Sequence, residues 1–272
     1  MTGQRRELVF MCADTGAVVL VAQAGAAARV AVFLASGETL LGEADTTLPA
    51  AGRGRSTVRL STTAALFTAP ARAVRDEPST ARRVPVSIAV TVEPAGVEVT
   101  LPGEVPETVV VAGVEGELGA GSVLFRLRAA GWASAAPLGG AGEPHTRARA
   151  VFQDRSAAFL TGAAAALMRH TDIRPAPVDD LVLGGPERGP AHTLRCAVGG
   201  RSPALIAGEL RDTEQSLTFV EPDPGGGGWL WWSATPFVFV RSGVTGLGLV
   251  EKTFRAPSAS ASPKVPDLPD PY

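Results

Sequence analysis

The chain has 272 residues, a formal net charge of −2 and a hydrophobic content of 45%. Nucleic-acid-binding proteins normally carry a basic excess, so this near-neutral balance predicts no nucleic-acid partner. No stretch reaches the roughly eighteen consecutive apolar residues of a membrane-spanning helix, and no signal peptide is recognisable, so we expect a soluble, cytoplasmic protein without a membrane partner.

The first predicted elements are short strands joined by tight turns. Residues 8–12 and 17–22 flank a turn at 14–16, and residues 29–34 and 38–41 flank a second turn at 36–37. Gly and Asp in such short joints are typical of β-turns. This spacing favours antiparallel neighbours at the start of the chain.

The clearest period-two alternation begins at Val86. Apolar side chains at Val86, Ile88, Val90 and Val92 alternate with small or polar ones, which predicts a half-buried strand. A turn at 93–96 and renewed alternation over 97–101 then predict a hairpin.

Similar but weaker alternation recurs along the rest of the chain. The segments are 57–60, 108–112, 123–128, 194–198, 204–210, 217–220, 229–232, 237–241 and 247–251. Many short strands separated by frequent turn signals are typical of all-β domains. We therefore predict a mainly β fold of antiparallel sandwich or barrel-like sheets.

One segment favours a helix instead. Residues 156–170 are rich in Ala and Leu, and Phe159, Leu160, Ala163 and Leu167 fall at helical spacing. We predict one α-helix here, which makes an α+β fold the alternative.

Glycine- and proline-rich stretches suggest the domain organisation. The loop at 129–144 is the best boundary, so we expect a β-rich domain over 1–144 and a helix-plus-β domain over 145–255. A single continuous fold over 1–255 is the alternative. Residues 256–272 form a Pro/Ser-rich tail that we expect to be extended or disordered in isolation.

The sequence contains no motif of a known catalytic or cofactor site. The histidines lack metal-ligand spacing, no Gly-x-Ser-x-Gly elbow is present, and the glycines at 225–228 lack the Lys-Ser/Thr of a phosphate loop. The two cysteines fit buried apolar positions. We therefore predict no catalytic residue, no cofactor and no metal site. Basic residues are almost all Arg, with Lys only at 252 and 264.

The most distinctive segment is PGGGGWLWWSATPFVFV, residues 224–240. On a strand, Trp229 and Trp231 share one face and Trp232 lies on the other, so aromatic bulk occupies both faces. One face can fill a core, and the other needs a second layer, another subunit or a ligand to cover it. The candidate interface or ligand residues are Trp229, Trp231, Trp232, Phe237, Phe239 and, in the tail, Tyr272.

Two functional hypotheses follow. The first is a non-catalytic protein-binding or structural assembly subunit with a protein partner or self-association, since Trp is enriched at interfaces and a Pro-rich tail can lie along a neighbour. The alternative is a β-barrel or sandwich that binds an apolar small molecule, with any catalysis arising from pocket shape and a few polar groups.

Overall fold

A computed structural model shows an all-β chain over the residues that it describes. These are 4–50, 54–68, 71–74, 81–102, 106–137, 145–162, 164–169, 172–185, 190–199, 204–211, 215–222 and 228–257. The strands are β1 (Gln4–Cys12), β2 (Ala17–Ala24), β3 (Ala27–Phe33), β4 (Thr39–Asp45), β5 (Ser56–Phe67), β6 (Ala71–Val74), β7 (Arg82–Pro94), β8 (Val99–Leu101), β9 (Glu107–Ala120), β10 (Val123–Pro137), β11 (His145–Phe152), β12 (Ala157–Thr161), β13 (Ala164–Arg169), β14 (Asp172–Gly184), β15 (Thr193–Val198), β16 (Ala204–Leu210), β17 (Leu217–Pro222), β18 (Gly228–Arg241) and β19 (Val244–Pro257).

The first barrel closes through the order β10–β1–β2–β3–β4–β5–β7–β9, because β9 pairs back with β10. All of these pairings are antiparallel. Along β1, Leu8, Phe10 and Cys12 belong to the barrel core, whereas Val9 and Met11 face outward. The alternation that predicted strands therefore separates the inside of a barrel from its outer surface.

The second barrel closes through β16–β15–β14–β13–β12–β11–β19–β18, with β18 pairing back to β16. Strand β17 continues the sheet beside the first half of β18, and β6 from the other half of the chain pairs with β17 in parallel. The prediction of a mainly β protein with barrel-like sheets is confirmed by these two antiparallel barrels.

The predicted helix at 156–170 is wrong: this segment forms the hairpin β12–β13. Ala157 and Phe159 face the first barrel, whereas Ala158 and Leu160 face the core of the second. Because both faces are buried, β12 is apolar from Ala157 to Leu160 and loses the period-two signal. Tertiary burial thus overrides the helix propensity of alanine. Residues 163 and 170, within the predicted helix, lie outside the described residues.

The predicted hairpin over 86–101 is also wrong in its pairing. The strand containing Val86 to Val92 is present as β7, and its burial alternates as expected. However, β7 pairs with β5 and β9, and β8 pairs with the beginning of β9. Turn signals thus located the chain reversal but not the hydrogen-bonded partner.

Two apolar clusters join the barrels. One packs Val9, Met11 and Phe33 of the first barrel against Leu217 and Trp232 of the second. In the other cluster, Trp132 of β10 meets Phe159 edge to face, with ring centroids 5.6 Å apart. The expected domain boundary at 144 stays a prediction, since β6 crosses from the first half of the chain into the second sheet.

Strand β1 lies unusually close to β10 at Gly131, which is the cross-strand partner of Phe10. A Cβ atom at Gly131 would lie 2.0 Å from the Val9 carbonyl oxygen and 2.6 Å from the Phe10 Cα atom. Such distances require the backbone to move, so glycine is needed for this pairing.

We expect Gly131→Ala to lower the free energy of unfolding by about 1–3 kcal/mol, since overpacking displaces backbone in a closed barrel. Gly162→Ala is the control, because a Cβ atom there meets nothing within 4 Å. Urea denaturation of both variants checks this. Equal effects of the two substitutions would contradict the close approach.

Candidate functional site

Six charged side chains meet between the two barrels, on the outer faces of the strands that carry them. We call this set the ion cluster. Arg5, Glu7 and Glu107 come from the first barrel, and Arg147, Arg149 and Glu251 from the second. Its three carboxylates and three guanidinium groups balance in charge. Balance of this kind is what a low-dielectric interface requires.

Arg149 is at the centre of the ion cluster and is fully buried. Its guanidinium contacts the carboxylates of both Glu7 and Glu251, so it connects the two barrels. The Glu251 carboxylate also accepts a hydrogen bond of 3.0 Å from Trp232 Nε1. The Arg149 guanidinium carbon lies 4.9 Å from the centre of the Phe159 ring, which adds a cation–π contact.

Arg147 extends the ion cluster towards solvent. Its Nε atom lies 2.9 Å from Glu107 Oε2, and its Nη1 atom lies 3.4 Å from Glu7 Oε1. Arg5 also contacts Glu7, and both arginines are partly exposed. At this rim the Thr253 hydroxyl lies 3.3 Å from His145 Nε2.

Electrostatics hold Glu7 in its charged form. Burial raises the pKa of Glu7, but Arg5, Arg149 and Arg147 outweigh burial, so its pKa lies well below the ordinary value of 4.5. Burial lowers the pKa of Arg149, and Glu7 and Glu107 oppose that shift. Glu7 is therefore a fixed anion and not a proton donor at neutral pH.

The first barrel covers the outer aromatic face of β18. Trp232 packs in the cluster that joins the barrels, and the Arg29 guanidinium of β3 lies 3.6 Å from the Phe219 ring centre and 5.6 Å from that of Trp232. The second layer that the aromatic pattern required is therefore another barrel of the same chain.

The inner faces of the same strands carry a row of polar residues, which we call the polar row. Thr218 of β17 is opposite Ser233 of β18, Ser233 is opposite Lys252 of β19, and Lys252 is opposite Thr146 of β11. Ser233 and Thr218 are buried, and Thr146 and Lys252 are half-buried. Directly opposite residues lie about 5 Å apart at Cβ, so each neighbouring pair in the row can contact the same group of a ligand.

Two residues of β18 flank the polar row on the same inner face. Trp231 precedes Ser233 and is buried, and Thr235 follows it. The Thr235 hydroxyl is buried without a hydrogen-bond partner, although burial of an unpaired hydroxyl costs free energy. The polar row is thus bounded by an aromatic ring at one side and by an unsatisfied hydroxyl at the other.

The structure distributes the predicted site residues over three environments. Trp229 and Trp231 lie on the inner face of β18 beside the polar row, and Trp232 lies between the barrels, where it donates a hydrogen bond to Glu251 of the ion cluster. Phe237 and Phe239 are fully buried in the core of the second barrel, with ring centroids 5.7 Å apart. Tyr272 lies outside the described residues.

Neither cysteine is exposed for nucleophilic chemistry. Cys12 is buried in the first barrel, and Cys196 is buried in the second. Burial, with the nearby Asp180 carboxylate, raises the pKa of Cys196 to about 12, so it is a neutral thiol at ordinary pH. Among the described residues, no group of three His, Cys, Asp or Glu side chains is placed to hold a metal ion.

Comparison with known proteins shows the fold but no family. No protein-family model matches the chain, and no curated protein matches it in sequence. Several solved structures resemble it, and three of them do so over most of their length. An AttH-type protein from Nitrosomonas europaea has a TM-score of 0.52 at 12% identity, covering 93% of this chain and 92% of that chain. Kievitone hydratase from Nectria haematococca has a TM-score of 0.50 at 12% identity, covering 93% and 89%. CghA has a TM-score of 0.49 at 14% identity, covering 96% and 90%.

These comparisons contradict the prediction of a non-catalytic assembly subunit. The likeness to kievitone hydratase extends over both barrels, and that protein is by its name an enzyme. The expected roles in protein binding and structural assembly find no support in this fold. No helix in the described part of the chain is long and apolar enough to cross a membrane.

Sequence reasoning missed both the ion cluster and the polar row. Glu7 and Arg149 are 142 positions apart, and no local pattern connects them. The members of the polar row lie on four strands, so only the barrel register brings them together. The scarcity of lysine was the one signal available, since Lys252 is one of two lysines in an arginine-rich chain.

We expect Arg149→Met to lower the free energy of unfolding by about 3–5 kcal/mol, because it leaves the buried Glu7 and Glu251 carboxylates without their shared cation. Arg128→Met is the control, since its ion pair with Glu115 is 3.8 Å long and exposed. Urea denaturation checks both variants. An Arg149→Met protein as stable as the control would show that the ion cluster contributes nothing to stability.

The lowered pKa of Glu7 predicts a pH dependence of stability. The folded state holds Glu7 ionised below pH 4.5, where the unfolded chain takes up a proton. Stability from Glu7 is therefore fully present above about pH 4.5 and is lost as the pH falls towards the folded-state pKa. Urea denaturation at several pH values between about pH 6 and pH 3 measures how steeply the free energy of unfolding changes with pH. Glu7→Gln flattens it, and Glu115→Gln on the exposed surface leaves it unchanged.

Proposed function

We propose that the second barrel binds an apolar small molecule at the polar row and converts it through pocket shape and hydrogen bonding. The observation that carries this proposal is the polar row itself, since Thr218, Ser233, Lys252 and Thr146 lie side by side on the inner face of the second sheet. An eight-stranded barrel is wide enough to enclose side chains or one small ligand.

The buried Thr235 hydroxyl supports this location. A core under selection for stability alone would favour valine here, because valine has a similar shape and no unpaired hydroxyl. Hydroxyl groups at Ser233 and Thr235 instead offer hydrogen bonds to a polar atom of the ligand, and Trp231 offers a large apolar surface to its body. Ligand pockets commonly combine these elements.

The likeness to kievitone hydratase supports an addition or elimination of water on an apolar substrate as the reaction class. Such a reaction needs groups that orient the substrate and exchange a proton with it. The polar row carries hydroxyl and ammonium groups of this kind on the inner face of β11, β17, β18 and β19. The buried neutral thiol of Cys196 argues against covalent catalysis by cysteine.

The test of this proposal is Thr235→Val. We expect the variant to be more stable than the wild type by about 1 kcal/mol, because an unpaired buried hydroxyl is removed. We also expect it to bind 1-decanol about fivefold more weakly, as the loss of one hydrogen bond predicts. Displacement of the neutral apolar dye N-phenyl-1-naphthylamine measures the affinity.

Thr39→Val is the matched control, since Thr39 of β4 also has a buried hydroxyl without a hydrogen-bond partner but belongs to the first barrel. It should gain stability and leave decanol binding unchanged. A wild-type protein that binds no dye, or a Thr39→Val variant that loses decanol affinity as Thr235→Val does, would contradict a site in the second barrel.

A further inference from the structure

Strand β14 carries apolar side chains that face into the second barrel and are nevertheless partly exposed. Val178, Leu181 and Leu183 pack against the core of this barrel, but each of them is only half-buried. We call these three residues the apolar strip. Their cross-strand partners on β15 are all buried. The interior of a small barrel is normally filled by side chains, so the exposure of the apolar strip marks an opening into the second barrel.

A β-bulge keeps the apolar strip on one face of β14. Val178 and Leu181 are three positions apart, and this odd spacing would place them on opposite faces of a regular strand. The pairing with β15 shifts between Val178 and Asp180, and the extra residue returns Leu181 to the inner face. Val182 consequently lies on the outer face, where it is 53% exposed.

The opening results from the short hairpin β12–β13. Because β12 ends at Thr161 and β13 begins at Ala164, which pairs with Pro177, the hairpin has no residues left to cover β14 beyond Val178. Among the described residues, this part of β14 pairs with β15 alone. The turn of the hairpin is also open, since a Cβ atom at Gly162 would meet nothing within 4 Å.

The apolar strip and the polar row lie on opposite walls of the second barrel. In the closed order of its eight strands, β14 is four strands from β19 in either direction. Strand β19 lies between Ser233 of β18 and Thr146 of β11, so it is part of the wall that carries the polar row. Because the interior of an eight-stranded barrel has room for one small ligand, a single molecule can contact both walls.

We propose that the ligand of the second barrel is an elongated amphipathic molecule, with its polar end at the polar row and its apolar body on the apolar strip. This inference rests on the proposed function, since it assigns the shape and polarity of the molecule bound there. A ligand that covers Val178, Leu181 and Leu183 removes their exposed apolar surface from water, which favours binding. The apolar strip thereby selects ligands that are long enough to cross the barrel.

The test compares 1-decanol with 1-hexanol, which have the same polar end and differ in the length of the apolar chain. Both are measured by displacement of N-phenyl-1-naphthylamine from the wild type, Val178→Thr and Val182→Thr. Threonine has a similar shape to valine but adds a hydroxyl group. Val182→Thr is the matched control, because it makes the same substitution on the outer face of the same strand. Urea denaturation of each variant reports its folding.

We expect the wild type to bind 1-decanol at least about tenfold more tightly than 1-hexanol, because the longer chain buries more apolar surface. Val178→Thr should bind 1-decanol about fivefold more weakly than the wild type, since the chain would cover a hydroxyl group that loses its water. Its affinity for 1-hexanol should stay unchanged, because the shorter chain does not reach the apolar strip. Val182→Thr should bind both alcohols as the wild type does.

Other outcomes separate this inference from the proposed function. If Val178→Thr binds 1-decanol as tightly as Val182→Thr does, the apolar strip is not part of the site, and the binding site at the polar row still stands. A wild type that binds neither the dye nor either alcohol overturns the proposed function, and this inference with it. Equal losses of affinity for both alcohols in Val178→Thr, together with reduced stability, assign Val178 a structural role and also overturn the inference.

Discussion

The contact of Arg149 with Glu7 and Glu251 is the interaction on which the arrangement of the two barrels depends. A guanidinium fully removed from water is tolerated only where carboxylates meet it, and here they come from both barrels. Apolar packing around Trp132 and Trp232 buries surface on either side of the ion cluster, but such packing does little to fix the relative orientation of the barrels. The ion cluster fixes that orientation, because its charges meet their partners in one relative placement of the barrels.

The contacts of the ion cluster also position the candidate site, because the two share the same strands. Strands β11, β18 and β19 present Arg149, Trp232 and Glu251 to the first barrel and present Thr146, Ser233 and Lys252 to the interior of the second. A strand fixed on one face has little freedom on the other, because successive side chains alternate. The polar row is thus positioned by contacts on the opposite face of its strands, which is the kind of support that preorganised sites require.

Period-two alternation predicted the fold class, and it was most accurate where one face meets water. Strand β7, with an exposed outer face, was located correctly. The alternation is missing from β12 and β13, where Ala158 and Phe159 are buried on opposite faces. The helix propensity of the alanines there led to the wrong prediction of a helix. Trp229 and Trp231 were proposed as ligand residues because aromatic bulk is visible locally. Lys252 and Thr235 were not, since only the register between distant strands places them together.

The crossing of β6 has a consequence for how the chain acquires its structure. Residues 71–74 complete the second sheet by pairing in parallel with β17, residues 217–222. During synthesis the first barrel can close on its own strands, but β6 has no partner until the ribosome has made most of the second half. Pairing between strands so far apart in sequence forms late, because the chain between them loses conformational entropy before the new hydrogen bonds compensate for that loss. The order of translation therefore makes this pairing a late joint between the halves, and cutting the chain between the barrels would leave the backbone donors and acceptors of β6 facing water.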